Sequence, residues 1–213
     1  MKNLLHLTLI VLSFTASSAF AGGDAKRGES LVGACSACHG ADGNSAAPNF
    51  PKLAGLGEKY LYKQLKEIKE GHRVISEMTG MLDSSSDQNL MDMAAFFDAQ
   101  PMQLSGSKEM DVQLNSGEKT DALAVGAQVY RAGNLETKVP ACTGCHSPRG
   151  LGNEPAGYPR LSGQHAQYIE KQLRDFRAGN RVNDGDAQVM RGVAAHMSDA
   201  EIIAVANFIA GLN

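Results

Sequence analysis

Two five-residue stretches carry the residues most able to do chemistry: Cys35-Ser36-Ala37-Cys38-His39 and Cys142-Thr143-Gly144-Cys145-His146. Both read Cys-x-x-Cys-His, the attachment pattern of c-type haem. Two thiols one helical turn apart can each add across a haem vinyl group, and the adjacent His then presents an imidazole nitrogen to iron. A zinc ribbon would need the two Cys pairs to converge and would not need a His after each second Cys. A thioredoxin-like disulfide would need a strand-then-helix context, and the sequence shows none. The chain has four cysteines and the two motifs use them all. The expectation is two covalently attached haem c groups, on Cys35 and Cys38 and on Cys142 and Cys145, with His39 and His146 as iron ligands.

The elements that must position these motifs are duplicated. Pro51-Lys52-Leu53-Ala54-Gly55 matches Pro159-Arg160-Leu161-Ser162-Gly163 at an offset of 108. The same offset pairs Tyr60 with Tyr168, Lys63-Gln64-Leu65 with Lys171-Gln172-Leu173, and Arg73-Val74 with Arg181-Val182. After four extra residues near Asn183 to Ala187 the offset becomes 112, pairing Met78 with Met190, Gly80 with Gly192 and Phe96 with Phe208. Two domains of one architecture follow, at 22–100 and 118–213. The polar segment 101–117 has no second copy and is read as the link between them.

The periodicity is helical. Short helices are expected before each haem motif, at Asp24 to Gly33 and about Asp121 to Arg131. Leu61, Leu65 and Ile68 mark a middle helix, matched by Ile169, Leu173 and Phe176, with Gly71 and Gly179 as stops. A last helix carries Leu90, Ala94 and Phe97, matched by Ile202, Ala206 and Ile209. Ser198-Asp199-Ala200-Glu201 reads as a capping box, with Ser86 in the equivalent place. No alternating strand pattern is visible, so the fold class is all-α.

The repeat also selects the sixth iron ligand. The candidates are His72, Met78, Met81, Met91 and Met93 in the first half, and His165, Met190, His196 and Met197 in the second. Only Met78 and Met190 occupy equivalent positions, each in an expected loop between middle and last helices. A His/Met pair is the ligation of an electron-transfer haem of raised potential. The imidazole's other N–H needs an acceptor. The carbonyls of Pro51 and Pro159 are assigned to that role, from loops at similar distances after each His. Tyr60, Tyr168, Arg73 and Arg181 are polar repeats that could meet haem propionates.

The N-terminus reads as a secretory signal, with Lys2, an apolar run from Leu4 to Phe14, and Ala19-Phe20-Ala21 as the cleavage site. Cleavage after Ala21 leaves 213 − 21 = 192 residues and, by removing Lys2, moves the formal charge from −3 to −4. The product is expected in the periplasm, soluble or peripherally attached to a membrane. The acidic balance and the lack of a basic stripe argue against nucleic acid.

These residues resemble a known family. The two Cys-x-x-Cys-His domains look like class I cytochrome c modules, and Pro-x-Leu-x-Gly is similar to a loop of that fold. The string Gly43-Asn44-Ser45 … Pro48-Asn49-Phe50-Pro51-Lys52-Leu53-Ala54-Gly55 resembles the dihaem cytochrome c4 family. So do Glu77-Met78-Thr79-Gly80-Met81-Leu82 and Asn183-Asp184-Gly185-Asp186 … Met190-Arg191-Gly192. The resemblance implies two tandem cytochrome c domains about a pseudo-two-fold axis, with His/Met ligation in both. It implies a periplasmic carrier, often membrane-associated, between a cytochrome bc complex and a terminal cytochrome c oxidase, rather than an enzyme. The alternatives are the dihaem subunit of a flavoprotein sulfide dehydrogenase, or a dihaem redox enzyme such as a peroxidase or a thiosulfate-oxidising cytochrome.

Overall fold

Helix caps set most of the element boundaries. The computed structural model describes residues 22–213; the expected signal segment, 1–21, lies outside the described residues. In the first repeat α1 (Ala25–Glu29) starts at Asp24, whose side chain accepts from the Arg27 N–H. The one-turn α2 (Ser36–His39) carries the haem motif, and α3 (Glu58–Lys69) follows a long loop. A 3₁₀ turn (Ser76–Met78) leads to α4 (Asp87–Asp98). Ser86 caps α4 in a reciprocal box with Asn89.

The second repeat has the same order: α5 (Ala122–Ala132), α6 (Thr143–His146), α7 (Ala166–Ala178), α8 (Val189–Ala194) and α9 (Asp199–Gly211). Asp121 caps α5, and Ser198 with Glu201 forms the expected capping box on α9. Gly179 closes α7 in the left-handed conformation, and Gly71 takes the same φ sign just past α3. The first pre-motif helix is shorter than expected: beyond Glu29 the chain continues in turns to Cys35.

Two strands depart from the all-helical expectation. β1 (Asp111–Gln113) pairs antiparallel with β2 (Lys119–Asp121). Val112 is the buried residue of this hairpin and packs with Ala122, Ala200 and Ala204. Strands of three residues are too short to leave a readable alternation. β1 lies within the segment expected to link the domains. That segment is also fastened to the second repeat: Gly106 N–H donates to the Ala210 carbonyl, and the Asn207 side chain both accepts from Lys108 N–H and donates to its carbonyl.

Each repeat is closed by a first-helix/last-helix crossing at backbone contact. A Cβ on Gly28 would sit 2.0 Å from the Asp92 carbonyl oxygen, and one on Gly126 would sit 2.3 Å from that of Ala204. Asp92 and Ala204 are equivalent under the 112 offset, so one crossing geometry is used twice. The first crossing buries a carboxylate. Asp92 accepts from Arg27 Nε at 2.8 Å, Asp24 N at 2.7 Å and Gln88 Nε2 at 2.9 Å. The Arg27 bonds hold its carboxyl well below the usual carboxylate range. The second crossing has only Ala204 there, in the small cluster with Val112, Ala122 and Ala200.

The domains meet through polar contacts. The Gln164 side chain binds Lys52 twice, accepting from its N–H at 2.9 Å and donating to its carbonyl at 2.8 Å. His165 Nε2 bonds the Ser45 carbonyl at 2.8 Å. Helix α3 begins at Gly57 with no side-chain cap of its own, and Glu154 of the other domain accepts from Lys59 N–H at 2.8 Å. A carboxylate there complements the helix dipole.

The crossings generate a stability prediction. Neither backbone can yield 1 Å without unpacking a domain, so Gly28→Ala and Gly126→Ala should each cost about 2–3 kcal/mol. The check is the denaturant midpoint of the haem-loaded protein. Gly144→Ala, where a Cβ would meet nothing within 4 Å, should leave the midpoint nearly unchanged.

Candidate haem-binding sites

A single helical turn assembles each motif. His39 N–H donates to the Cys35 carbonyl, and His146 N–H to that of Cys142, both at 2.9 Å. This i to i+4 closure places the first Cys and the His on one face. All four thiols are free and half-buried. Burial raises the Cys35 thiol pKa and pushes that of Cys142 up to about 11. Cys35 and Cys142 therefore stand in apolar surroundings rather than in a cationic, thiolate-forming niche.

Each imidazole is buried and fixed by one bond. His39 Nδ1 lies 2.8 Å from the Pro51 carbonyl, and His146 Nδ1 lies 2.9 Å from the Pro159 carbonyl. A carbonyl only accepts, so Nδ1 carries the proton and Nε2 keeps its lone pair. Burial lowers both imidazole pKa values, with the carbonyl bond acting in the opposite direction. The rings are therefore neutral near pH 7 and able to bind a metal.

The loops that supply these carbonyls are closed alike. Leu53 N–H donates to the Gly43 carbonyl at 2.7 Å, and Leu161 N–H to that of Gly150 at 2.8 Å. Gly43 and Gly150 have φ of 75° and 68°, and a Cβ on either would fall within 2.8 Å of a core side chain. Only glycine satisfies both demands.

The methionines separate by position. Met78 ends the 3₁₀ turn and packs, half-buried, against the cluster that holds Leu61, Leu82 and Leu90 and also touches Cys35. Met190 packs against the cluster of Ile169, Leu173 and Met197 that touches Cys142. Met190 was expected in a loop but lies in α8, which the four extra residues make room for. Met81 is 46% exposed, and Met93 and Met197 are enclosed core residues. The His72 and His196 side chains face solvent, and His165 is engaged between the domains. Met78 and Met190 are thus the candidates that share an apolar cluster with the first motif cysteine at equivalent positions.

The remaining polar repeats, expected near haem propionates, line the boundary between the domains. Tyr60, Tyr168, Arg73 and Arg181 bond each other and Gln64 and Gln172 across the domain boundary. Arg73 reaches Tyr168 Oη at 3.0 Å, and Arg181 reaches Tyr60 Oη at 3.2 Å. The glutamines were visible as part of a repeated string, but nothing in one sequence says that the two copies face each other. Gln164 and His165, which also join the domains, differ between the copies and gave no signal.

The donor set fits covalent haem. Four unpaired thiols in two i, i+3 pairs, two imidazoles with Nε2 free, and an apolar cluster beside each pair are what two haem c groups require. Among the described residues no cluster of three or more His, Cys, Asp or Glu could hold a bare metal ion.

Comparison with known proteins agrees. The Cytochrome c family model matches residues 25–105 and 123–213. Cytochrome c4 of Azotobacter vinelandii is 50% identical over 216 residues, covering 97% of this chain and 98% of the relative. The crystal structure of reduced recombinant cytochrome c4 from Pseudomonas stutzeri superposes with a TM-score of 0.82 at 50% identity, covering 90% of this chain and all of that one. A thiosulfate dehydrogenase electron acceptor of Stutzerimonas stutzeri is 37% identical over 180 residues, covering 84% of this chain and 79% of the relative.

The placement of the methionines yields a spectroscopic prediction. Met78→Ala and Met190→Ala should each remove the Met-to-iron charge-transfer band of one haem and lower its potential. Met81→Ala should keep both bands. Loss of a band in Met81→Ala and not in Met78→Ala would reassign the ligand.

Proposed function

We propose that this chain, which belongs to the cytochrome c family and within it to the dihaem cytochromes c4, carries electrons in the periplasm from a cytochrome bc-type complex to a terminal oxidase. It is an electron-transfer protein, not an enzyme, and it carries two covalently attached haem c groups. When bound, each haem would supply a ferrous/ferric one-electron couple, and the polypeptide would hold its ligands, exclude water and set the potential.

The roles of the chain's residues follow from the site. Cys35, Cys38, Cys142 and Cys145 hold the haems through thioether bonds. His39 and His146, oriented by Pro51 and Pro159, would ligate iron, and Met78 and Met190 would supply the second ligand of each haem. The observation that carries this reading is the repeated coincidence, in each domain, of a pinned neutral imidazole and a methionine in the apolar cluster beside the first motif cysteine. A His/Met ligand set would suit outer-sphere electron transfer rather than binding of a peroxide or a sulfur substrate.

The export signal and the Cys-x-x-Cys-His chemistry support the periplasm, with cleavage after Ala21. Among the described residues no helix is long and apolar enough to cross a membrane. A second reading is favoured by the relative named for accepting electrons from thiosulfate dehydrogenase: the same carrier, loaded by a sulfur-compound dehydrogenase. Reduction of the purified protein by each donor in turn, at equal concentration, separates the two.

Coordination is tested directly. The reduced protein should bind carbon monoxide slowly or not at all near pH 7, because Met78 and Met190 would occupy the remaining ligand position of each iron. Fast stoichiometric binding at either haem would restore the enzyme reading.

Charge asymmetry adds a directional prediction. Residues 22–100 contain eight basic and eleven acidic side chains, against ten of each in 118–213. Ferric haem carries one more positive charge than ferrous, so the more negative domain favours the oxidised form. At ~15 Å and an effective dielectric constant of ~40, three charges amount to about 70 mV, cut by salt to a few tens. The haem at His39 should have the lower potential and receive electrons first. A redox titration with each haem marked in turn by Met78→His or Met190→His measures the order; the reverse order would sink it.

A further inference from the structure

The turns that carry the two haem motifs end in the same backbone step, on different residues. Gly40 follows His39 with φ 79° and ψ 155°, and Ser147 follows His146 with φ 67° and ψ 159°. That conformation is open to glycine and strained for any residue with a Cβ. The first turn is also closed by its exit residue: Gly40 N–H donates to the Ser36 carbonyl at 3.0 Å. Ser147 N–H makes no equivalent bond among the described residues. The second turn thus combines a strained exit with a missing closure, one residue after the imidazole pinned to Pro159.

A side chain from the first helix of that repeat supplies the hold. Tyr130, in α5, is completely buried, and its Oη donates to the Ser147 carbonyl at 2.8 Å. Its ring packs against Phe208 of α9, with centroids 5.6 Å apart. The Ser147 carbonyl also accepts from Gly150 N–H at 3.1 Å, and Ser147 Oγ accepts from Leu151 N–H at 2.9 Å. The Gly150 carbonyl in turn accepts from Leu161 N–H, in the loop that presents the Pro159 carbonyl to His146. Tyr130 therefore grips the joint between the haem turn and the loop that orients its imidazole. Burial raises the phenol's pKa, so the group remains a donor at neutral and mildly alkaline pH.

The first repeat has no such grip. When Gly28 and Gly126 are matched as the crossing glycines, Val32 takes the place of Tyr130, buried and without a hydroxyl. A Cβ on Gly40 would lie 2.9 Å from the Asn44 carbonyl oxygen, so the first site has no room for a serine. Glycine and its closing bond do at one site what serine and tyrosine do at the other. A strained residue persists only where its surroundings over-determine it, and the Tyr130 bond is what the second site adds.

We infer that Tyr130 is a positioning residue for His146, fastening the exit of the second haem turn through Ser147 so that the imidazole keeps its bond to Pro159 and its orientation. The inference rests on the reading of His146 as an iron ligand. The two imidazoles are then held in different ways, by the backbone alone at His39 and by a side chain of the α5–α9 crossing at His146.

The test uses the dihaem protein with Tyr130→Phe, which keeps the ring against Phe208 and removes only the hydroxyl. NMR of the ferrous protein follows hydrogen exchange of the two imidazole Nδ1–H protons, and NMR of the ferric protein follows the hyperfine-shifted haem methyl signals. Exchange at His146 should rise about fivefold to tenfold, the worth of one hydrogen bond. The methyl pattern of the haem at His146 should change, while His39 and its haem keep their values. Ser147→Gly relieves the strain that the bond restrains, so the double variant Tyr130→Phe/Ser147→Gly should return exchange at His146 close to its original rate. Three results would overturn the inference: no acceleration at His146, an equal acceleration of the α5 and α9 amides, or no recovery in the double variant. If Tyr130→Phe fails to load the second haem, the double variant must restore loading, and continued failure overturns the inference as well. Haem content and carbon monoxide reactivity of the unsubstituted protein report on the ligand reading itself, so either can fail alone.

Discussion

One hydrogen bond, made twice, governs the chemistry of this molecule. The bond from His Nδ1 to a proline carbonyl fixes the imidazole tautomer, and with it which nitrogen keeps the lone pair that a metal would need. A free imidazole would lose that orientation to rotation about χ2 and to protonation near pH 6.5. The bond requires a carbonyl with no competing partner, and a proline loop held at fixed distance supplies it. The loop in turn depends on glycines at Gly43 and Gly150, whose backbone conformation and close packing exclude a side chain. The order of dependence runs from glycine, to loop, to carbonyl, to imidazole, to metal.

The rest of each domain is a thin enclosure around that site. Domains of this size bury little surface on their own. Here the first and last helices approach to backbone contact at Gly28 and Gly126, and α3 or α7 covers the remaining side. Each cluster of large apolar residues is built against a motif cysteine rather than away from it. A covalently held haem is thereby the centre of its domain's core, and ligand geometry and fold stability are not separable properties.

Between the domains the physics is different. The boundary is polar, specific and charged, with Gln164 pairing to the Lys52 backbone, Glu154 closing the N-terminus of α3, and two arginines crossing over. Polar contacts of this kind fix orientation through direction rather than through buried area. Duplication supplied two near-equal halves, and the four residues from Asn183 break the equality, since Asn183 bonds Gln64 and Glu67 with no counterpart on the other side. A carrier with two haems needs such a difference if electrons are to move one way.

The sequence by itself determined what is local or repeated. The Cys-x-x-Cys-His turns, the capping boxes at Ser86 and Ser198, the stops at Gly71 and Gly179 and the helical stripes are all decided within a few residues, by hydrogen bonds of short span. The internal repeat extended that reach, because two copies of one solution single out Met78 and Met190 from many candidates. Only the tertiary structure decided what depends on faces meeting. The helix crossings at Gly28 and Gly126 rest on steric contact between segments more than 60 residues apart, and a glycine within a helix carries no mark of what opposes it. The β1–β2 hairpin is stabilised by Val112 packing on α9, not by any alternation of its own. Tyr60, Arg73 and their copies looked like partners for a cofactor, and only the fold shows that they also meet each other across the domain boundary. Their assignment depended on the relative placement of two domains, and that is a property of complementary surfaces which no local pattern encodes.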